Sequence, residues 1–330
     1  MTTSGNTAIL LVNLGSPDAP TPAALRPYLA EFLWDRRVVD LPRLPWWLIL
    51  HGIILTTRPK KSAAKYAQIW TKEGSPLKVH TEKQAKFLNG LFFTRNQRDI
   101  HVTWAMRYGT PAIATQLDEL VAQGKTNIRV IPLYPQYAIS TTASVHDAVQ
   151  NWQQQRGNHH AVDIHCTPSF PEHPGYIAAL AATVRKHWET QGRVLAPDRM
   201  LIMSFHGIPK RSVERGDPYA QECEKTAHQL AKALGLREDQ WQLTYQSRFG
   251  RAEWLQPYTQ STLEQYARQG RQTIDVICPG FVSDCLETLE EIAMENKAAF
   301  LKAGGKEFHY IPCLNENPDW IEVLADLALQ

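Results

Sequence analysis

The chain has 330 residues, a length at which a single hydrophobic core stops growing and two domains are expected. Lysine and arginine number 35 against 33 aspartates and glutamates, so no charge excess draws the chain toward nucleic acid. Five cysteines, none in a C-x-x-C pair, argue against a disulfide framework or a zinc knuckle and for a reducing compartment.

Along the chain, Met1–Asn6 is polar and short, without the apolar core of a signal peptide. Apolar runs of strand length then alternate with helix-period segments. The strands expected in the first half are Ala8–Asn13, Ile100–Met106, Asn127–Leu133 and Ala161–Cys166. Those of the second half are Arg199–Phe205, Trp241–Ser247, Thr273–Pro279 and Lys306–Pro312. Between them lie amphipathic stretches such as Ala112–Ala122, Ile177–Trp188, Tyr219–Leu234 and Glu287–Leu301. Continuous apolar strands alternating with helices predict an α/β fold of parallel sheets flanked by helices. Ligands of such sheets sit at the carboxyl ends of the strands.

The two halves echo each other. Asn13-Leu14-Gly15-Ser16-Pro17 returns as Phe205-His206-Gly207-Ile208-Pro209, 192 residues later. Arg107-Tyr108-Gly109 returns as Arg248-Phe249-Gly250 at an offset of 141, Val130-Ile131-Pro132 as Val276-Ile277-Cys278 at 146, and Pro174-Gly175-Tyr176-Ile177 as Pro318-Asp319-Trp320-Ile321 at 144. The first offset exceeds the others by about fifty, which places an insertion near residues 20–80 of the first copy. We therefore expect a first domain over 1–190 carrying that insertion and a second over 191–330, facing each other across a cleft. No G-x-G-x-x-G or Walker-type loop follows any strand, so a nucleotide site lacks its phosphate cradle.

Three constellations carry chemistry. His206 ends a strand and is followed by Gly207 and Pro209, a turn that aims the imidazole outward from the sheet; the plain alternative is a histidine bonded to its own turn. Its counterpart in the first copy is the apolar Leu14. In Asp284-Cys285-Leu286-Glu287, the aspartate and Glu287 fit a helix capping box, and Glu290 fits a solvated face. Glu287, Glu291 and Glu295 nonetheless recur every four residues, and like charges at that spacing cost a helix roughly 0.2–0.5 kcal/mol per pair. A row that costs stability invites a cation, and carboxylates with an imidazole suit a divalent metal held loosely. The insertion holds Trp34, Trp46, Trp47, Ile49, Leu50, Ile53, Ile54 and Leu55 between Arg36, Arg37, Arg43 and Arg58, Lys60, Lys61. That is either core packing for an extra helix or a lip that meets lipid headgroups or covers an apolar anion. Its longest apolar run, Leu44–Leu55, is too short to span a bilayer, which takes about 20 residues. Arg107 and Arg248 are placed to steady carboxylates, and Tyr108, Phe249 and Trp254 to line the same cleft.

Read together, these residues resemble the ferrochelatase family. The resemblance runs through Val12-Asn13-Leu14-Gly15-Ser16-Pro17, Gly74-Ser75-Pro76-Leu77, Met106-Arg107-Tyr108, and Tyr134-Pro135-Gln136-Tyr137 with Ser140-Thr141-Thr142. It continues through Ser204–Pro209, Gln246-Ser247-Arg248-Phe249-Gly250, Trp254-Leu255 and Ser283–Leu289. It implies two Rossmann-like domains, each a four-stranded parallel sheet, with an apolar lip in the first and a C-terminal segment able to pack on the first domain. It implies insertion of Fe²⁺ into protoporphyrin IX, with His206 and Glu287 catalytic and with His206, Glu287, Glu291, Glu295 and Asp284 along the metal path. Leu14, Arg107, Tyr108, Trp254 and Phe281 match positions around the macrocycle. Cys285 departs from the histidine of many relatives. Fe²⁺ is then a substrate; no tightly bound cofactor and no iron–sulfur cluster are expected. The protein is expected to be a cytoplasmic monomer, peripheral on the inner face of the cytoplasmic membrane through its lip, and a partner for a porphyrin-supplying enzyme. A porphyrin carrier, a cobalt chelatase for a more polar tetrapyrrole and a nucleotide-dependent enzyme are the competing readings.

Overall fold

The structure, a computed structural model, describes residues 6–156, 162–192, 200–250 and 252–330. Ala161 and Arg199, expected to open two strands, lie outside the described residues. By their contacts the residues form two compact units, Met1–Ser169 with Ile321–Gln330, and Phe170–Trp320.

In the first unit β1 (Thr7–Gly15) is central and Ala8–Val12 are wholly buried. After it come α1 (Pro22–Trp34), α2 (Arg43–Ile49), a π-helical turn Leu50–Ile54, α3 (Leu55–Ile69) and α4 (Pro76–Thr94). Thr21 caps α1 by accepting from the Ala24 N–H at 3.3 Å, and Pro22 opens it at a position where no N–H is needed. β2 (His101–Tyr108), α5 (Ile113–Ala122), β3 (Asn127–Pro132), α6 (Thr142–Gln155) and β4 (Asp163–Cys166) complete the plan. The sheet is parallel in the order β2-β1-β3-β4. Leu10, Val12 and Val130 of the sheet pack with Leu117 and Leu120 of α5 and Val145, Val149 and Trp152 of α6. Each such side chain contributes about 1.5–3 kcal/mol on burial.

The second unit opens on α7 (Pro174–Thr190), then β5 (Leu201–His206), α8 (Lys210–Glu214), α9 (Tyr219–Leu234), β6 (Trp241–Gln246), α10 (Thr259–Arg268) and β7 (Thr273–Ile277). A π-helical segment Glu287–Asn296, α11 (Lys297–Lys302) and β8 (Glu307–Ile311) follow; α12 (Pro318–Leu329) begins in this unit and belongs to the first from Ile321 onward. The order β6-β5-β7-β8, again parallel, repeats the first sheet. The sequence boundary was set after α7; contacts set it before, because α7 packs on α9. The expected amphipathic helix Glu287–Leu301 is π-helical over its first ten residues, and Ile292 within it belongs to a buried cluster with Ile202, Val276 and Phe300.

Strand register corrects one echo. Gly15 stands opposite Tyr108 and His206 opposite Gln246, so placing Leu14 on His206 puts Arg107 on Gln246 and Tyr108 on Ser247. The backbone agrees: Met106 N–H donates to Pro111 O at 2.7 Å, as Tyr245 N–H does to Pro257 O at 2.8 Å. The Arg107/Arg248 match is thus two residues out of register. Four residues lie between Met106 and Pro111 and eleven between Tyr245 and Pro257, and the longer loop carries Arg248, Phe249 and Trp254.

Part of the insertion is core packing and part of it leaves an apolar face exposed. Trp46, Leu50, Leu55, Tyr66 and Ile69 are buried, with Trp46 Nε1 donating to Leu33 O at 2.8 Å. Leu44, Trp47, Leu48, Ile49 and Ile53 are exposed, Leu44 by 74%. No helix among the described residues is long and apolar enough to cross a membrane.

Candidate active site

His206 closes β5, the strand bonded on both sides in the second sheet. Its Nδ1 lies 2.7 Å from the main-chain oxygen of Gly207. A carbonyl only accepts, so in the neutral ring Nδ1 carries the hydrogen and Nε2 carries the lone pair. The plain reading of this histidine, bonded to its own turn, and the functional one are therefore the same geometry. Gly207 makes the turn because nothing larger fits: a Cβ there would sit 2.8 Å from Gln246 O and 3.1 Å from the Trp254 ring. The imidazole is half-buried, its centroid 6.4 Å from that of Trp254 and 6.4 Å from that of Phe281. Trp254 is buried and meets the exposed Phe249 edge-on at 4.9 Å. This is an aromatic wall beside a base.

The acidic row is graded. Glu295 is exposed, Glu291 and Glu287 half-buried. Glu291 Oε1 accepts from Ser247 N–H at 2.6 Å and Oε2 from Ser247 Oγ at 2.5 Å. Ser247 offers both donors because its backbone is left-handed, φ 67°, a conformation rare for a non-glycine and typical of functional sites. Burial raises the Glu291 carboxyl above its ordinary value; the Ser247 bonds and the His206 charge pull the other way, and Glu287 adds to the rise. Gln246 spans the row from below. Its Nε2 donates to Glu287 O at 2.8 Å and its Oε1 accepts from Ser204 Oγ at 2.7 Å.

Asp284 stands apart. Its Oδ1 accepts from Thr288 at 3.1 Å and from the Tyr310 hydroxyl, and its Oδ2 from Asn315 Nδ2 at 2.7 Å. The capping box with Glu287 does not form; Thr288 takes that place, accepting from Cys285 N–H at 2.9 Å. Glu290, expected on a solvated face, is buried, because the π turn rotates it inward. Cys285 is buried, and that burial, then Glu287, push its thiol well up, so it stays protonated. Among the described residues no three His, Cys, Asp or Glu side chains form a coordination shell. The charges of His206 and Glu287 both act on Glu291, while Glu295 lies at the surface and Asp284 belongs to the loop network.

Arg107 and Tyr108 are engaged elsewhere. Arg107 Nη2 pairs with Asp35 Oδ2 at 2.6 Å, and its Nε donates to Ser144 Oγ at 2.7 Å. The buried Tyr108 hydroxyl donates to the same Asp35 oxygen at 2.8 Å. Burial works to raise the Asp35 carboxyl, but bonds from Ser144, Arg37 and Tyr108 and the Arg107 charge outweigh it and hold it below the ordinary range. Leu14 is half-buried at the end of β1. Gln246, Ser247 and Asn296 were not singled out from the sequence; the first two lay inside a quoted motif, and Asn296 gave no signal.

A family model described as ferrochelatase matches residues 6–330. A ferrochelatase of Azoarcus sp. is 59% identical over 321 residues, 97% of this chain and 86% of that one. One of Dechloromonas aromatica is 57% identical over 324 residues, covering 98% and 87%. Among solved structures, SirB from Bacillus subtilis with Fe³⁺ aligns at TM-score 0.56 and 13% identity, over 98% of this chain and 96% of that one. The chelatase-like DR2241 of Deinococcus radiodurans aligns at 0.53 and 13%, over 98% and 55%. At such identity these two speak for the fold alone.

Proposed function

The chain belongs to the ferrochelatase family, and from that premise we propose that His206, Glu287 and Glu291 carry out its chemistry, the insertion of ferrous iron into a porphyrin in haem synthesis. The observation that carries the assignment is the Nδ1–H of His206 committed to Gly207 O, which leaves Nε2 as a base of fixed direction.

Two pyrrole N–H protons leave as Fe²⁺ enters the ring. Nε2 of His206 takes a pyrrole proton, and the imidazolium so formed is stabilised by Glu291, whose carboxyl is raised by burial and suited to receive the proton in turn. General-base work of this kind typically contributes 10²–10⁴-fold. Gln246 and Ser247 hold the row so that this transfer occurs at one geometry. Trp254 and Phe281 face the flat apolar substrate, and peripheral binding there bends the macrocycle so that its nitrogen lone pairs meet the metal. Protoporphyrin IX suits an aromatic wall better than a more carboxylated porphyrin. Leu14 keeps its assignment to the substrate, while Arg107 and Tyr108 act through Asp35. Glu295 is the outer station of the metal path, and Asp284 positions the loop before the row.

The exposed apolar face of the lip, bordered by Arg36, Lys60 and Lys61, supports peripheral contact with an anionic membrane surface of the cytoplasm. Anaerobic insertion of Fe²⁺, or of Zn²⁺ as surrogate, into protoporphyrin IX tests the reading through loss of free-porphyrin fluorescence. Fast insertion that collapses in Glu287→Gln is expected. Tight porphyrin binding without insertion would make the protein a carrier.

A further inference from the structure

The second sheet buries hydroxyls where parallel strands ordinarily pack apolar side chains. Ser204 of β5 stands opposite Thr244 of β6, and two residues further on His206 stands opposite Gln246. Residues two apart on a strand share a face, so these four side chains share one face of the sheet. Thr259, at the start of α10, bonds to both hydroxyls. Ser204, Thr244, Gln246 and Thr259 are all buried.

The hydrogens of this group can be placed one by one. Gln246 Nε2 lies 2.8 Å from Glu287 O, and a carbonyl only accepts, so the amide nitrogen is on that side and Oε1 on the other. Oε1 accepts from Ser204 Oγ at 2.7 Å and, more weakly, from Cys278 Sγ at 3.6 Å. The first of these bonds uses the single hydroxyl hydrogen of Ser204. At the 2.8 Å contact between Ser204 Oγ and Thr259 Oγ1, Thr259 therefore donates. Its hydrogen is then spent too, and at the 2.9 Å contact with Thr244 Oγ1 the donor is Thr244. The chain runs one way, from Thr244 through Thr259 and Ser204 to Gln246. It ends on Glu287 O and, at 3.5 Å, on Glu291 Oε2.

A flipped amide would set Oε1 against Glu287 O and a Glu291 oxygen with no hydrogen between them. Stability alone does not call for such a chain, because matched apolar side chains in the same space are nearly neutral by comparison. What the chain supplies is direction, since successive bonds polarise one another along it.

We propose that Ser204 and Thr259 are positioning residues for metal insertion: their hydroxyls hold the Gln246 amide in one sense, and the amide holds the start of the π-helical segment and the Glu291 side chain. The inference rests on the iron-inserting reading above. Both hydroxyls are buried and act through Gln246.

The test separates kcat from KM for Zn²⁺ insertion into protoporphyrin IX. Ser204→Ala is expected to lower kcat about tenfold while porphyrin KM stays within about twofold, because a displaced group costs rate and not macrocycle binding. Thr259→Val, which keeps the shape and loses the hydroxyl, is expected to lower kcat about threefold, and Thr259→Ser to recover most of that loss. Unchanged kcat in Ser204→Ala and Thr259→Val, or equal losses in Thr259→Val and Thr259→Ser, would overturn the proposal. Should Ser204→Ala fail to fold, the two Thr259 variants decide alone. A second readout needs no turnover: hydrogen exchange of the Gln246 side-chain amide, followed by NMR, should be slow in the wild type and faster in Ser204→Ala and Thr259→Val. Equal exchange rates overturn the network. Faster exchange in the variants supports it even where the wild type inserts no metal, a result that overturns only the iron-inserting reading.

Discussion

Arg107 leaves the end of β2 and finishes on Asp35 and Ser144; Gln246, at the equivalent register of β6, finishes on the main chain of Glu287 beneath Glu291. Both side chains tie the end of one strand to neighbouring structure, but only the first brings a charge. In the first unit the carboxylate beside that tie is neutralised at 2.6 Å and held ionised well into acid. In the second, no guanidinium among the described residues pairs with Glu291, and burial leaves it raised. One fold therefore uses the same corner as a lock in one copy and as an uncompensated acid in the other. A compensated carboxylate stabilises; an uncompensated one is available to protons and cations.

The largest break in this contrast comes from removing the base. His206→Ala should lower insertion by two to four orders of magnitude while porphyrin binding, read by fluorescence quenching, stays near wild type. Insertion surviving above a tenth of wild type would remove His206 from the chemistry.

Next is the lock. Arg107→Gln leaves Asp35 without its cation and should cost about 3 kcal/mol in urea unfolding, the low end of the range for a broken buried pair, because both partners keep some exposure. The pH dependence has a definite sign. Asp35 is lowered in the folded state, so its stabilisation is full above the ordinary carboxylate value and is lost as pH falls through the lower folded one. Asp35→Asn should flatten the acid limb of Tm against pH below the ordinary carboxylate value.

The exchange Gln246→Arg carries the lock into the second unit. Gln246 Nε2 already lies 3.5 Å from Glu291 Oε2, so a guanidinium there should neutralise the row and cut kcat/KM for iron about tenfold, a change of ~1.4 kcal/mol. Unchanged iron kinetics would mean that the openness of the row is incidental.

The smallest effect is on stability. Glu291 is raised when folded, so its contribution is present below the ordinary carboxylate value and lost as pH rises through the folded one. Glu291→Gln should therefore add up to about 1 kcal/mol at neutral pH, visible as a higher Tm, while KM for iron rises.

Much of this was legible in the chain. Continuous apolar strands such as Ala8–Val12 announce a parallel sheet, and His206 before glycine and proline announces a strand-end side chain. The partner of Arg107 was not legible, because Asp35 lies 72 residues earlier and only tertiary packing brings it near. The four-residue spacing of the glutamates reads the same in an α- or a π-helix, so the burial of Glu290 was invisible. The left-handed Ser247 carries no residue signature, since glycine or asparagine is the usual occupant.

In a π-helix each hydrogen bond skips one more residue than in an α-helix, so the segment Glu287–Asn296 is an α-helix into which length has been inserted. Its register is then set by how many residues it contains more than by which ones they are. Trading Ala293 for another small residue leaves each glutamate where it is. Deleting a single residue between Glu287 and Glu291 would close the wide turn and swing every downstream carboxylate around the axis. This stretch should accept changes of chemistry at outward positions such as Met294 and reject changes of length, so that in any collection of functional variants it would be the part of the second unit in which gaps do not occur.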